Sequence, residues 1–508
     1  MRETTAPAMI CTRCNRPSND AERCAKCGTQ LKTLESQRTR GWLALGAALF
    51  LAAFMAAIWI WIDRLFAANG VSDAAALTYL GRINVAFALV VVSGILGTIN
   101  GWMMAHTGRR NTPLIVALLA CFIAALFIAG SASSSYHPAA AAELPSLTTP
   151  SVQSSITATI ERDRRRYGGR TPIPATIVGV WDAAGHGYVH AFGFSDLRNK
   201  VPVTGADHFR IGSNTKTFVV AVLLQLVGEK KLSLDDPLSR FDLGVTVPNA
   251  EHITVRELCN MRSGLFEAYD TPQFAKLNWK VPQGFNPRLL VGWAMKQKPY
   301  FAPNQGYRYS NTNYLLLGMI VESITKDGVG GEIRKRLIIP FGLTQTSFPD
   351  TEAMPHPWTR GYELDKRRNW RDVSNTVPVA FMWSAGAMIS DMQDIRRWIK
   401  LFATGEAGGR ATYGDLVDCI PFIGNTSFGL GITCSAGWYG YTGALPGYNT
   451  GDYYSPSTGL TILVWINYQA PQPIEGVASV MVRDIARIVT PDRVPFVYTR
   501  GDLRTLLH

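Results

Sequence analysis

Two segments of the chain place a serine three residues before a lysine, a spacing that can support acyl transfer. One is SNTK, with Ser213 and Lys216, and the other is SITK, with Ser323 and Lys326. On a helix, residues three apart lie on the same face, one turn from each other. A neutral lysine can then take the proton of the serine hydroxyl, and the helix N-terminus favours the developing negative charge. Spacing alone does not distinguish the two serines.

The surrounding sequence favours Ser213. Residues 209–212 predict a short strand and a turn, and residues 217–227 predict an apolar helix, so this serine stands at a helix start. Ser323 falls near the end of a predicted helix and close to a glycine, as expected of an ordinary surface serine. We therefore predict Ser213 as the nucleophile and Lys216 as the group that activates it.

A single Tyr-x-Asn sequence, YSN, brings Tyr309 and Asn311 together on one predicted loop. A tyrosine with a depressed pKa can act as a general base or relay protons with the lysine, and an amide can hold a substrate carbonyl. A buried aromatic residue beside a turn would give the same pattern. The catalytic interpretation of this pair depends on the presence of the serine and lysine described above.

Six segments of the chain resemble the motifs of one superfamily, and they occur in the same order as in that superfamily. It is the superfamily of class C β-lactamases, D-alanyl-D-alanine carboxypeptidases and related esterases, and the resemblance covers residues 151–495. The segments are RIGSNTKTF (210–218), LDDP (234–237), ITVRELCNMRSGL (253–265), YSNTNYLLLG (309–318), SAGAMISD (384–391) and TGALPGYN (442–449).

The resemblance implies an α+β fold of the β-lactamase/transpeptidase-like type, an antiparallel sheet flanked by helices plus a helical subdomain. It also implies residue roles. Ser213 would be acylated after activation by Lys216, Tyr309 would pass the proton, and Asn311 would orient the acyl group. We expect no cofactor for this domain, because its histidines lack metal-ligand spacing.

The family's third motif, a strand reading Lys-Thr-Gly or His-Thr-Gly, is altered to Tyr441, Thr442 and Gly443. The family's cation attracts a substrate carboxylate, whereas tyrosine supplies only a hydrogen bond. The backbone N–H of Ala444, with that of Ser213, can still form an oxyanion hole. The resemblance thus implies a serine hydrolase acting through an acyl-enzyme on an ester or amide (esterase, peptidase or β-lactamase-related), with carboxylate recognition weakened.

An alternative is a penicillin-binding-like sensor or scaffold of weak activity that binds cell-wall fragments. The altered third motif and the N-terminal features described below favour it. Retention of Ser213, Lys216, Tyr309 and Asn311 argues against it, since a protein that only binds has no need of that set.

Four cysteines near the N-terminus form the pattern C-x2-C-x9-C-x2-C, at Cys11, Cys14, Cys24 and Cys27. Two close thiolate pairs suit the tetrahedral preference of Zn²⁺, and the stretch resembles the small zinc ribbons that precede bacterial membrane anchors. Residues 1–40 are therefore predicted to be a module with a structural zinc ion. A redox C-x-x-C pair and incidental cysteines are the alternatives. The sequence does not name a protein partner for this module.

Three apolar segments predict transmembrane helices at residues 41–62, 83–105 and 113–130. The first has 22 residues without a charge, about 33 Å as a helix and enough to cross a bilayer. Buried core helices are an alternative reading of all three. The third segment, with Arg109 and Arg110 before it, also resembles a signal peptide followed by a cleavage region.

Flanking charge predicts the topology of a multi-pass protein of the cell membrane. Basic residues precede the first span and fill the loop between the second and third, which places both on the cytoplasmic side. The N-terminal module is then cytoplasmic, where thiolates stay reduced, and the catalytic domain is extracytoplasmic. Residues 131–150 are predicted to be a flexible linker, 151–495 the hydrolase domain and 496–508 a tail.

The net charge of +12 and pI near 9.3 do not by themselves indicate nucleic acid. Basic runs interleaved with aromatic residues are missing, so no nucleic acid is expected. The expected partners are the lipid bilayer and a small-molecule or cell-wall-derived ester or amide. Cys259 is predicted to lie in an apolar core and Asp391 to cap a helix, and Cys419 and Cys434 can pair outside the cell.

Overall fold

The computed structural model describes residues 144–282, 285–469, 476–498 and 502, and the backbone of three short strands near the N-terminus. The chain forms two compact units, residues 1–143 and 144–508. In the first unit, β1 (Met9–Cys11) pairs antiparallel with β2 (Pro17–Ser18) and β3 (Leu31–Thr33).

The predicted zinc ligands' side chains and all three predicted membrane spans lie outside the described residues. Among the helices that are described, none combines the length and the apolar character that a bilayer crossing needs. The zinc module and the anchor therefore stay predictions from sequence.

The second unit is built on a nine-stranded antiparallel sheet with the order β11-β12-β13-β14-β15-β16-β4-β5-β6. Two small two-stranded sheets, β7 with β10 and β8 with β9, lie beside it. The strand bounds are β4 Ala175–Trp181, β5 Gly187–Asp196, β6 Val201–Pro202, β7 Phe209–Arg210, β8 Tyr362–Leu364, β9 Trp370–Asp372, β10 Ile389–Ser390, β11 Ile420–Ile423, β12 Thr426–Phe428, β13 Thr433–Ser435, β14 Trp438–Leu445, β15 Tyr448–Tyr454 and β16 Thr461–Ile466.

Helices cover the sheet and form a helical region beside it. The helix bounds are α1 Pro150–Tyr167, α2 Thr215–Gly228, α3 Val255–Cys259, α4 Pro272–Leu277, α5 Arg288–Ala294, α6 Asn311–Thr325, α7 Val329–Ile333, α8 Val379–Gly386, α9 Met392–Ala403, α10 Tyr413–Leu416 and α11 Gly476–Val489. This arrangement agrees with the α+β fold class expected from sequence.

Both faces of the central strands are covered, because β4, β15 and β16 are buried at every position. Helices α1 and α11 pack on one face around a core of their own. Helix α9 packs on the other face through buried residues at helical spacing, and the Asp391 carboxylate accepts the Asp394 N–H at 2.8 Å as the predicted cap. Helix α2 is buried almost all round, as its uniformly apolar sequence requires.

The edges of this unit extend past the predicted domain limits. Leu147, within the predicted linker, is 1% exposed and belongs to the core under α1. Phe496, within the predicted tail, is 1% exposed and packs on the Tyr453 ring at 5.0 Å. Apolar residues at these ends are part of the fold because they complete the second core.

The unit contains one cysteine that is buried as predicted and two whose pairing the sequence left open. Cys259 is fully buried in α3. Cys419 and Cys434 form a disulfide that joins the residue before β11 to the middle of β13. This bond closes the β11–β13 segment into a loop at one edge of the sheet.

Candidate active site

Ser213 lies in a single 3-10 turn, Gly212–Asn214, that leads directly into α2. The preceding strand β7 pairs with β10, and the Ile211 N–H donates to the Met388 carbonyl at 3.0 Å, so the turn is held from both sides. The serine is partly buried and opens into a cleft of about 590 Å³. The sequence pattern thus placed Ser213 correctly at a helix start.

Lys216 is one helical turn further along and is fully buried. Its ammonium group donates to Ser213 Oγ at 2.9 Å, to Asn311 Oδ1 at 2.8 Å and to the Ala385 carbonyl at 2.6 Å. Three N–H donors therefore meet three acceptors, which come from the turn before α2, from α6 and from α8. The position of the amine is fixed by partners on three separate elements.

Burial lowers the pKa of Lys216 to about 7, against an opposing effect of the Glu267 carboxylate. A neutral amine keeps only two N–H donors and has one lone pair. Asn311 Oδ1 and the Ala385 carbonyl can only accept, so the lone pair of the neutral amine must face Ser213 Oγ. This geometry suits removal of the serine proton near neutral pH.

Tyr309 places its hydroxyl 2.7 Å from Ser213 Oγ. Burial raises the pKa of this phenol, and the hydrogen bond with the serine opposes the rise only in part. Because 37% of Tyr309 is exposed to the cleft, solvent moderates the rise, but its direction is upward. The raised pKa suits Tyr309 to donating a proton rather than to acting as a general base, and the lowered pKa of Lys216 suits that amine to accepting one.

Glu267 is a site residue that the sequence did not reveal. It is 9% exposed, accepts the backbone N–H of Asn311, and its Oε1 accepts Asn311 Nδ2 at 3.3 Å. Because the carboxylate holds the amide nitrogen, the amide oxygen must point at Lys216. The only signal was its position, two residues after the segment 253–265 that carried the family resemblance.

Strand β14 passes close to the nucleophile turn, and two glycines permit the approach. A Cβ on Gly443 would lie 2.0 Å from the Ile211 carbonyl oxygen, and one on Gly212 would lie 2.9 Å from Ala444 N. Ala444 itself is exposed and lines the cleft. The Ala444 backbone is thus beside Ser213, where an oxyanion hole needs its donors.

A buried polar network anchors the nucleophile turn to the sheet. Asn214 Nδ2 donates to Thr450 Oγ1 at 2.8 Å and to Asp452 Oδ2 at 2.7 Å, and Trp465 Nε1 donates to Asp452 Oδ1 at 2.6 Å. Burial raises the pKa of Asp452 to about 7, although these donors favour its ionised form. The residue next to Ser213 is therefore tied to β15.

The structure brings Ser213, Lys216, Tyr309 and Asn311 into one hydrogen-bonded group, with Tyr441, Thr442 and Ala444 lining the same cleft. Gly443 lies against Ile211 beneath the cleft. Ser323 does not join this group: it is in the last turn of α6, which ends at Lys326 in a left-handed conformation. Context, not spacing, separated the two serines.

Comparison with known proteins agrees with this geometry. A family profile described as Beta-lactamase matches residues 160–486, which is more than half of the chain. The chain belongs to the beta-lactamase family of serine hydrolases.

Relatives of this beta-lactamase-family chain include D-aminopeptidase from Brucella anthropi, 29% identical over 292 residues, which are 55% of this chain and 53% of that protein. Protein flp from Staphylococcus aureus (strain N315) is 29% identical over 220 residues, 41% of each chain. The chain thus spans about half the length, or less, of the curated relatives it matches.

Solved structures show the same fold. D-stereospecific amidohydrolase from Streptomyces sp. has a TM-score of 0.57 at 25% identity and covers 67% of this chain and 99% of its own. The penicillin binding protein from Bacillus halodurans has a TM-score of 0.54 at 19% identity, over 62% of this chain and 95% of its own. The β-lactamase/transpeptidase-like fold expected from sequence is confirmed.

Across residues 144–282, 285–469 and 476–498, no three His, Cys, Asp or Glu side chains gather as a metal site would require. The predicted structural zinc concerns Cys11, Cys14, Cys24 and Cys27, whose side chains lie outside the described residues.

Proposed function

We propose that this protein hydrolyses an ester or amide through an acyl-enzyme formed on Ser213. The observation that carries the proposal is the hydrogen-bonded set around Ser213 Oγ, with Lys216 Nζ at 2.9 Å and the Tyr309 hydroxyl at 2.7 Å. Nucleophile, base and proton donor are within the range that proton transfer needs. A purely binding protein gains nothing from burying a lysine against a serine in this way.

In the acylation step, neutral Lys216 takes the proton of Ser213 Oγ as the oxygen attacks the substrate carbonyl carbon. The negative charge that develops on the carbonyl oxygen is held by the backbone N–H groups of Ser213 and Ala444. Tyr309 donates its proton to the leaving nitrogen or oxygen, and the C–N or C–O bond breaks. The proton held by Lys216 then restores the Tyr309 phenol.

In the deacylation step, water replaces the leaving group and attacks the ester carbon. Neutral Lys216 accepts a proton from this water, and the bond between the acyl carbon and Ser213 Oγ breaks. The serine recovers its proton and the product acid departs. Each group returns to its starting protonation state, so no cofactor is consumed.

Our proposal for the substrate class rests more on the names of the matched proteins than on the geometry of the site. The matched proteins named D-aminopeptidase and D-stereospecific amidohydrolase support an amide whose acyl side has the D configuration. The position that carries the family's cation is Tyr441 in this chain, which supports an esterase or amidase over a β-lactamase. We therefore propose a D-configured amide or a simple ester as the substrate.

The first experiment is covalent labelling of the full-length chain with a fluorophosphonate and with a fluorescent penicillin. We expect fluorophosphonate labelling that is lost in Ser213→Ala. Ser323→Ala is the matched control, because it removes the serine of the second S-x-x-K and should label normally. Absence of labelling by both reagents, in folded protein, would count against the acyl-enzyme and favour the sensor alternative.

We also propose that the hydrolase domain faces the extracytoplasmic side, tethered by the predicted spans. The Cys419–Cys434 disulfide supports this, because such bonds persist in oxidising compartments. Alkylation of free thiols in intact cells, followed by reduction and a second, mass-shifting reagent, should find this pair oxidised. A pair that is fully reduced in cells would contradict the proposed location.

A further inference from the structure

One side of the cleft is a continuous set of aromatic rings, which we call the aromatic wall: Phe422, Tyr307, Phe428 and Tyr441. Their ring centroids follow each other at 4.3, 5.5 and 5.8 Å. All four line the cleft that holds Ser213. The wall therefore leads from the β11–β12 hairpin to the strand beside Ser213, and its mutually tilted rings offer an apolar surface to whatever occupies the cleft.

Charge is missing from the described lining of this cleft, where no Asp, Glu, Lys, Arg or His side chain is found. The nearest cation, Lys216, is fully buried and already has three acceptors. The carboxyl groups of Glu267 and Asp452 lie behind the lining, each bonded to a site asparagine. A substrate carboxylate would lose water here and gain no cation in exchange, which is unfavourable.

Tyr441 adds a polar group to this apolar wall. The residue is 2% exposed, and its hydroxyl has no hydrogen-bond partner within the part of the chain that the structure describes. The Tyr309 hydroxyl is its nearest polar neighbour and interacts with it strongly enough to change the pKa of both phenols, but the Tyr309 hydroxyl is itself engaged by Ser213 Oγ at 2.7 Å. A buried hydroxyl without a partner is unfavourable until a ligand supplies one.

We infer that the cleft selects an uncharged substrate whose acyl side carries an aromatic or large apolar group, with the Tyr441 hydroxyl bonding a neutral polar atom of that substrate. This inference rests on the proposed function and names the substrate class of the same site. Rings of the acyl group stack on the aromatic wall, where aromatic pairs are favoured. Tyr441 thereby acts as a specificity-determining residue.

The turnover test compares 4-nitrophenyl phenylacetate with 4-nitrophenyl hemisuccinate on the full-length protein. We expect kcat/KM to be larger for the neutral aromatic ester by at least about tenfold. In Tyr441→His, assayed where the imidazole is protonated, the ratio should shift toward the hemisuccinate by about tenfold. Tyr439→Phe, on the same strand but outside the cleft lining, should keep the wild-type ratio.

A binding test keeps the inference separate from catalysis. Calorimetry on Ser213→Ala compares phenylacetamide with succinamate, which differ in the same way as the two esters. Phenylacetamide should bind more tightly, and adding Tyr441→Phe should weaken it about fivefold, the worth of one neutral hydrogen bond. Tighter binding of succinamate, or an unchanged affinity in the double variant, overturns the inference. Lost labelling of Ser213 would instead refute only the proposed chemistry.

Discussion

Replacing Glu267 with glutamine isolates the electrostatic part of the active site. The carboxylate accepts only N–H donors, from the Asn311 backbone, the Asn311 amide and Tyr269 N at 3.1 Å. Donors of this kind favour the ionised form, although burial raises the pKa of Glu267. Glu267→Gln removes the charge and turns an amide nitrogen toward these donors, with little change in volume.

The size of the effect follows from the geometry. Glu267 and the Lys216 ammonium are bridged by the Asn311 amide, so their charges are about 6 Å apart and interact by roughly 2–3 kcal/mol at an effective dielectric constant of about 20. Removing the negative charge destabilises the ammonium and lowers the pKa of Lys216 below its value of about 7. The acid limb of the kcat/KM profile should therefore move to lower pH by about 1–2 units.

The assay is the pH profile of kcat/KM for a neutral 4-nitrophenyl ester, measured from about pH 5 to 9 on the full-length protein. A lower plateau is also expected, because Asn311 loses the partner that fixes its amide. Glu251→Gln is the matched control, since this glutamate is exposed and should leave the profile unchanged. An acid limb that stays in place, or moves to higher pH, would refute the assignment of Lys216 as a base under the influence of Glu267.

Three further substitutions test the frame around the site. Gly443→Ala puts a methyl group 2.0 Å from the Ile211 carbonyl and should lower kcat/KM by about 100-fold or more, whereas Gly414→Ala, which meets no atom within 4 Å, should not. Burial raises the pKa of Asp452 to about 7. Between about pH 4 and 7 the folded protein therefore holds this proton while the unfolded chain has lost it, so the free energy of unfolding of the wild-type protein declines over that range. Asp452→Asn should lack that decline in urea unfolding; an identical decline would exclude Asp452 as its source. Cys434→Ser opens a disulfide with a sequence separation of 15 and should cost about 3 kcal/mol of stability, seen as a lower Tm that reduction of the wild-type protein reproduces.

Local patterns predicted the parts of the site that depend on neighbouring residues. The apolar sequence after Ser213 predicted the helix that faces Lys216 toward it, and α2 has that form. The Asp391 cap was also visible in the sequence, because capping acts within one turn. The fold class came from the order of six segments and not from periodicity.

Features that depend on contacts between distant elements were not predictable in the same way. Glu267 acts on Lys216 through Asn311. These residues come from three separate segments, and no local sequence pattern shows that the segments come into contact. The sequence left open whether Tyr309 acts as a base or relays protons, because the direction of its pKa shift depends on how the strands and helices close around the cleft. Both features result from tertiary packing, which changes charge states without leaving a local sequence signal.

The contact between Gly212 and Ala444 has a consequence for the order of folding. The two proposed oxyanion donors belong to the turn before α2 and to β14, which are far apart in the chain, and they meet only when the sheet has closed. A chain whose helices have formed but whose β14 has not yet packed against the Ser213 turn would contain the serine and lysine but would lack hydrolase activity. Hydrolase activity would then appear only in the last step of folding, and on heating it should be lost together with the cooperative unfolding of the sheet.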